Sequence, residues 1–146
     1  IRYPGIISYK TLPGGGTTDY AVDIYFKALS DGKYTSFLDK DTTLPMMYMD
    51  DAVRATIELM DAASEKLRIR TSYNLAAMSF NPEEVTKSIQ KTLPDFTIDY
   101  NPDFRQDIAD TWPQSIDDSF AKEDWGWNPE FDLDQMTNTM ITSIKK

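Results

Sequence analysis

The chain has 146 residues, with 24 Asp and Glu against 15 Lys and Arg, a formal charge of −9, no His, no Cys and 40% hydrophobic residues. That length fits one domain or part of one, and the acidic excess argues against binding nucleic-acid phosphates or an anionic membrane surface. Without Cys or His there is no thiolate zinc site, imidazole-held metal, disulfide, or Ser-His or Cys-His catalytic pair, while 12% aromatic residues call for a packed core.

The longest apolar stretches, such as Leu44 to Met49, fall well short of the roughly 20 residues of a membrane span, so a soluble protein is expected. The chain opens Ile1-Arg2-Tyr3 with no initiator Met and no apolar leader, and reads as the middle of something longer. Arg2 to Ser8 is an expected strand interrupted by Pro4-Gly5, a pair that brings backbone close to whatever lies at the strand end. A loop from Lys10 to Gly16 contains three consecutive glycines. Thr17 or Thr18 then caps a helix to about Ser30, with Tyr20, Ile24 and Ala28 beside Ala21, Tyr25 and Leu29 on its inner side. Asp31-Gly32 stops it.

Tyr34 to Leu38 and Pro45 to Met49 are short strands around a polar turn. Asp50 or Asp51 caps the next helix, in which Val53, Ile57, Met60 and Leu67 recur at helical spacing and predict a core face. Tyr73 to Ala77 reads as a strand. Asn81-Pro82-Glu83-Glu84 combines an N-cap, a first-turn Pro and a capping-box Glu, opening a helix to about Thr92. Phe96, Ile98 and Tyr100 alternate with polar residues as a half-buried strand does. Pro102 to Ser115 is irregular, with room for a helical turn or two. Asp118 caps a short helix closed by Gly126, and Asp132 with Gln135 opens a last one bearing Leu133, Met136, Met140 and Ile144. The alternation of helices and strands predicts an α/β or α+β fold.

The Pro13 to Thr18 loop is the sharpest local feature, because backbone leading into a helix start offers N–H groups and hydroxyls to an anion such as a carboxylate. It matches neither nucleotide-loop motif, and a plain loop with a cap is the competing reading. Asp50-Asp51 and Asp117-Asp118 read as helix-start residues favoured by the dipole, with a shared proton or a divalent cation as the alternative. Trp112, followed by Pro113, is a ligand-stacking candidate, whereas Trp125 and Trp127 flank Gly126 in a packed turn. Arg105 is a candidate partner for an acidic ligand or for a surface carboxylate. No complete catalytic set is visible from these residues.

Four segments carry a resemblance: Arg2-Tyr3-Pro4-Gly5-Ile6, Met47 to Ala52, Tyr73-Asn74-Leu75, and Asp118 through Trp125-Gly126-Trp127-Asn128-Pro129. They resemble the successive C-terminal landmarks of extended short-chain dehydrogenase/reductases. Within that superfamily, Ser8 to Ala21 and Asp103 to Pro113 are similar to the NAD-dependent L-threonine 3-dehydrogenase branch. The resemblance implies an α/β chain made of the last strands and helices of a Rossmann domain plus a small substrate-binding lobe. It treats residues 1–146 as the C-terminal segment of an epimerase/dehydrogenase-type domain whose N-terminal NAD-binding half is absent. None of the eight tyrosines is followed four positions later by Lys, so the Tyr-x-x-x-Lys pair is missing and the isolated chain is expected to be inactive.

By the same resemblance, Pro4, Gly5 and Ile6 approach the nicotinamide of NAD, with the Ile6 N–H as donor. Gly16, Thr17 and Thr18 contact L-threonine, and Trp112 walls the pocket. No catalytic residue and no metal ligand is assigned. The implied partners are L-threonine and a second copy in a homodimer of the whole enzyme, with no nucleic acid and no membrane. Strand exchange or self-association is expected of the fragment. The implied location is the cytoplasm of a bacterium or the mitochondrial matrix of an animal, without secretion. Two other readings stay open: a nucleotide-sugar epimerase or dehydratase of the same superfamily, in which Arg105 holds a diphosphate, and a non-enzymatic interaction module.

Overall fold

The computed structural model describes residues 1–145 and is a mixed α/β structure with two small sheets. In the first sheet, β1 (Gly5–Ile7) lies parallel to β3 (Leu44–Tyr48), which pairs antiparallel with β4 (Met78–Phe80), giving the order β1-β3-β4. In the second, β2 (Lys33–Ser36) lies parallel to β5 (Thr97–Tyr100), Lys33 opposite Thr97. The helices are α1 (Tyr20–Ser30), α2 (Met49–Asp61), α3 (Pro82–Gln90), α4 (Phe104–Ala109), α5 (Ser119–Trp125) and α6 (Leu133–Ile144). No helix among the described residues is long and apolar enough to cross a membrane.

Every residue of β3 is buried, and its alternating side chains serve two cores. Leu44, Met46 and Tyr48 join Ile7, Tyr20, Ile24, Tyr25, Phe80 and Ile89 under α1, α3 and α6, while Met47 points into a second cluster with Ala52, Ala55, Tyr73, Leu75 and Trp127. A buried polar chain crosses the first core: Tyr25 Oη pairs with Thr137 Oγ1 at 2.9 Å, and Ser88 donates to Thr137 and to Asp134, which also receives Lys91. It ties α1, α3 and α6 together, and the hydroxyls of Tyr25, Ser88 and Thr137 are all paired within it.

The start signals for α3 and α6 act as expected. Asn81 exchanges hydrogen bonds with Glu84, and Asp132 with Gln135, so both capping boxes are closed. Gly126 ends α5 in the left-handed region at φ 79°, and the Trp127 indole is buried and donates to the Ala76 carbonyl at 3.0 Å.

Several expectations need correction. The first strand is shorter than Arg2 to Ser8: Pro4-Gly5 stands at its start, and Arg2 makes only an isolated bridge to Asn74. Tyr73 to Ala77 is likewise not a strand, β4 beginning at Met78. A short 3-10 turn, Thr17–Asp19, precedes α1, so neither threonine is its cap. Tyr48, not Asp50 or Asp51, occupies the N-cap position of α2. The largest difference concerns the α2 stripe. Val53, Ile57 and Met60 are 51%, 54% and 78% exposed, and the inward face is made by Asp51, Ala52 and Ala55. Helical periodicity locates an apolar face but not what it faces.

Asp51 explains part of that rotation. Its carboxylate is buried and accepts the Glu130 N–H at 3.0 Å, the Phe131 N–H at 3.1 Å and Arg54 Nη2 at 2.7 Å. Arg54 also donates to the Asn128 carbonyl and lies 4.8 Å from the Trp127 ring centroid. Asp51 therefore fastens α2 to the segment before α6.

Candidate functional site

Four of the seven residues expected at a ligand line one cavity of about 340 Å³: Pro4, Gly5, Thr18 and Trp112. They come from the start of β1, the turn before α1 and the segment after α4. Tyr3, Pro45, Pro113 and Ile116 complete the lining and make it predominantly apolar. None of these four was marked by sequence reasoning. Tyr3 and Pro113 adjoin residues that were, and Pro45 follows from the register, since its neighbour Met46 faces Gly5.

Gly5 has no room for a side chain. A Cβ there would fall 2.6 Å from Met46 Sδ and 2.8 Å from Thr18 Cγ2. Main chain at Pro4-Gly5 therefore meets the cavity bare, which suits contact with a flat amide through backbone groups. Ile6, 36% exposed, is not among the lining residues.

The glycine loop differs from a vacant anion nest. The Asp19 carboxylate accepts the Gly14 N–H at 2.7 Å and the Gly16 N–H at 2.9 Å through one oxygen. The chain thus supplies its own anion to those two donors, and Gly16 and Thr17 stay off the cavity wall, Thr17 being buried. Thr18 is the residue of the loop that reaches the cavity.

Arg105 holds the loop from the other side. Its guanidinium meets Asp103 at 2.6 Å, lies 3.2 Å from the Phe37 ring centroid and reaches the Gly15 carbonyl at 3.5 Å. Asp103 keeps its carboxyl below the usual range because Arg105 donates to it, and Arg105 is raised by the same bonds. The surface-carboxylate reading of Arg105 is the one the geometry favours.

Trp112 is 42% exposed and borders a second, polar cavity of about 420 Å³. There the Gln106 side chain accepts the Asp39 N–H at 2.8 Å and donates to Asp110 at 2.6 Å. One indole therefore separates an apolar space from a polar one. Burial pushes the Tyr48 hydroxyl up to about 12 and raises those of Tyr20, Tyr25 and Tyr34, so each is a neutral phenol at neutral pH. Among the described residues, no three carboxylates converge as metal ligands.

No family model matches the chain. Over 147 aligned residues it is 54% identical to an uncharacterized epimerase/dehydratase of Staphylococcus haemolyticus, covering 100% of this chain and 46% of that protein. It superposes with TM-score 0.96 on the crystal structure of L-threonine dehydrogenase from Phytophthora infestans, at 56% identity over 99% of this chain and 47% of the other. The GalE-like L-threonine dehydrogenase of Cupriavidus necator in its holo form gives TM-score 0.95 and 55% identity over 98% of this chain and 46% of its own. The chain spans about half the length of the relatives it matches.

Proposed function

We propose, from the resemblance of this chain to the C-terminal half of the L-threonine 3-dehydrogenases among the extended short-chain dehydrogenase/reductases, that it is the substrate-binding portion of such an oxidoreductase. The reaction is oxidation of the 3-hydroxyl of L-threonine to 2-amino-3-ketobutyrate. NAD, when bound, supplies the hydride acceptor. The observation that carries this reading is the convergence of Pro4, Gly5, Thr18 and Trp112 on one small cavity.

Each residue then has a physical task. Pro4 and Gly5 present backbone groups whose directions are fixed by β1, and these suit the nicotinamide carboxamide. The Thr18 hydroxyl hydrogen-bonds the amino acid. Trp112, Pro113, Ile116 and Pro45 exclude water and limit volume, so that a short aliphatic substrate fills the space. None of the eight tyrosines in these 146 residues is followed four positions later by Lys, so the chain by itself is expected not to turn over threonine.

A nucleotide-sugar reading asks Arg105 to hold a diphosphate, but that guanidinium is already committed to Asp103 and Phe37. The test is NADH formation from L-threonine and NAD by this chain joined to an NAD-binding half. Thr18→Ala is expected to lower kcat/KM about tenfold, the cost of one hydrogen bond of roughly 1.4 kcal/mol. Unchanged kinetics would remove Thr18 from the site, and turnover of a nucleotide sugar in place of threonine would overturn the reading.

A further inference from the structure

Helix α4 leads directly to Trp112 but has almost no apolar anchor of its own. Of its six residues only Ala109 is buried, while Phe104 and Ile108 are 69% and 39% exposed. Trp112 is fixed to the end of this helix through its own N–H, which the Ala109 carbonyl accepts at 3.0 Å, so the indole follows wherever α4 sits. Other contacts must therefore hold α4 in place. At its first turn these are the Arg105 guanidinium on the Phe37 ring and the Asp103 N–H donated to the Phe37 carbonyl at 3.2 Å. Nearer Trp112 the contact is Gln106.

Gln106 uses both ends of its amide. Its Oε1 accepts the Asp39 N–H at 2.8 Å and the Thr42 hydroxyl at 3.1 Å, and its Nε2 donates to Asp110 at 2.6 Å. A backbone donor on one side and a carboxylate on the other allow a single orientation of the amide. The turn from Asp39 to Thr42 leads into β3, whose second residue is Pro45. Asp110 ends α4 and stands two residues before Trp112. One side chain thus ties together the two segments that deliver Pro45 and Trp112 to the same cavity.

We infer that Gln106 is a positioning residue, which sets the gap between Pro45 and Trp112 and thereby the length of aliphatic side chain that the cavity admits. The size selection rests on the L-threonine reading of that cavity. The placing of Trp112 does not.

The chain has three tryptophans, so fluorotryptophan incorporated into the 146-residue chain gives three fluorine NMR lines, and Trp112→Phe identifies one of them. Gln106→Glu keeps the acceptor for Asp39 and Thr42 but sets a second carboxylate against Asp110. Adding Asp110→Asn returns a donor to that contact with the direction of the bond reversed. Asp39, Lys40 and Asp41 border the same polar cavity and are untouched by either substitution. At neutral pH the Trp112 line is expected to move toward that of free fluorotryptophan in Gln106→Ala and in Gln106→Glu, and to return when Gln106→Glu is combined with Asp110→Asn. The Trp125 and Trp127 lines, from the cluster around Met47, should stay in place and report an intact fold. A Trp112 line unmoved in both single variants, three lines moving together in both, or no return in the combined variant would each overturn the proposal.

The kinetic arm uses the chain joined to an NAD-binding half. Gln106→Ala is expected to raise KM for L-threonine about tenfold with kcat changed less than about twofold. It should also lower the preference for L-threonine over 2-amino-3-hydroxypentanoate, longer by one methylene, by about tenfold. An unchanged preference beside a displaced Trp112 line would overturn the size-setting role. An unsubstituted fusion that does not oxidise threonine, with the Trp112 line still governed by Gln106, would sink the substrate reading and leave the positioning role standing.

Discussion

Thr18 packs its methyl group against the bare backbone of Gly5, so closely that a Cβ on Gly5 would lie 2.8 Å from Thr18 Cγ2 and 3.1 Å from its Cβ. Through this contact the turn before α1 and the start of β1 form one wall of the cavity. Gly5→Ala is expected to destabilise the chain by about 1–3 kcal/mol, the usual cost of overpacking. Thr18→Ser removes the obstructing methyl and should recover part of that loss, while the flexible Met46 side chain moves aside. The comparison is a double-mutant cycle read by urea unfolding, and strict additivity would show that the two residues do not share this space.

Asp51 is the more costly single side chain to remove. It holds two backbone N–H groups and Arg54 from a buried position. Asp51→Ala strands those donors and should cost about 3–5 kcal/mol. Arg54→Ala should cost clearly less, because Asp51 keeps its backbone partners. Chemical denaturation of the two variants checks the order.

Two carboxyls give stability opposite dependences on pH. Asp124 is lowered, first by the Tyr73 hydroxyl donated to it and further by Arg68. Its contribution is complete above the unfolded value of about 3.9 and is lost as pH falls through the lower folded value. Asp124→Asn should therefore cost stability at neutral pH and flatten the loss seen on acidification.

Asp23 is raised, chiefly by desolvation. The folded chain then holds that proton more tightly than the unfolded one, so stability declines as pH rises from about 3.9 through the folded value. Asp23→Asn is expected to raise the urea midpoint at neutral pH and to leave it nearly unchanged at about pH 3. A midpoint that falls at neutral pH would contradict this.

Asp19 makes a prediction about the glycine loop. Because its carboxylate receives the Gly14 and Gly16 N–H groups, Asp19→Ala should accelerate hydrogen exchange at both amides. Helix α1 should weaken by about 1 kcal/mol, as for other lost side-chain contacts at a helix start. Unaltered exchange at Gly14 and Gly16 would show that the loop does not depend on Asp19.

What the sequence made legible was what local chemistry decides. The capping boxes at Asn81 and Asp132 and the stop at Gly126 are read from a few neighbouring residues, and each is present. The mixed α/β class followed from the alternation of helices and strands, and the resemblance named Pro4, Gly5, Thr18 and Trp112, which line one cavity, along with Ile6, Gly16 and Thr17, which do not. What could not be read required knowledge of the other side of a contact. The Val53, Ile57 and Met60 stripe has the period of a core face, but more than half of the surface of each meets solvent. The glycine loop looked ready for an external anion, and nothing local distinguishes that from Asp19 folding back onto it. Pro45 and Ile116 reach the cavity only through tertiary packing.

The pairing of β2 with β5 has a consequence for the order of assembly. All of β3, α2, β4 and α3 lies between Lys33 and Thr97, so this sheet closes a long stretch of chain. Contacts of such separation are slow to form. Trp112 and Ile116 follow β5 in the chain, so the Trp112 side of the cavity is expected to form after the β2–β5 pairing, which pulsed hydrogen exchange during refolding would check. In that order the Pro4, Gly5 and Pro45 side of the cavity would stand open to water until Trp112 and Ile116 arrive.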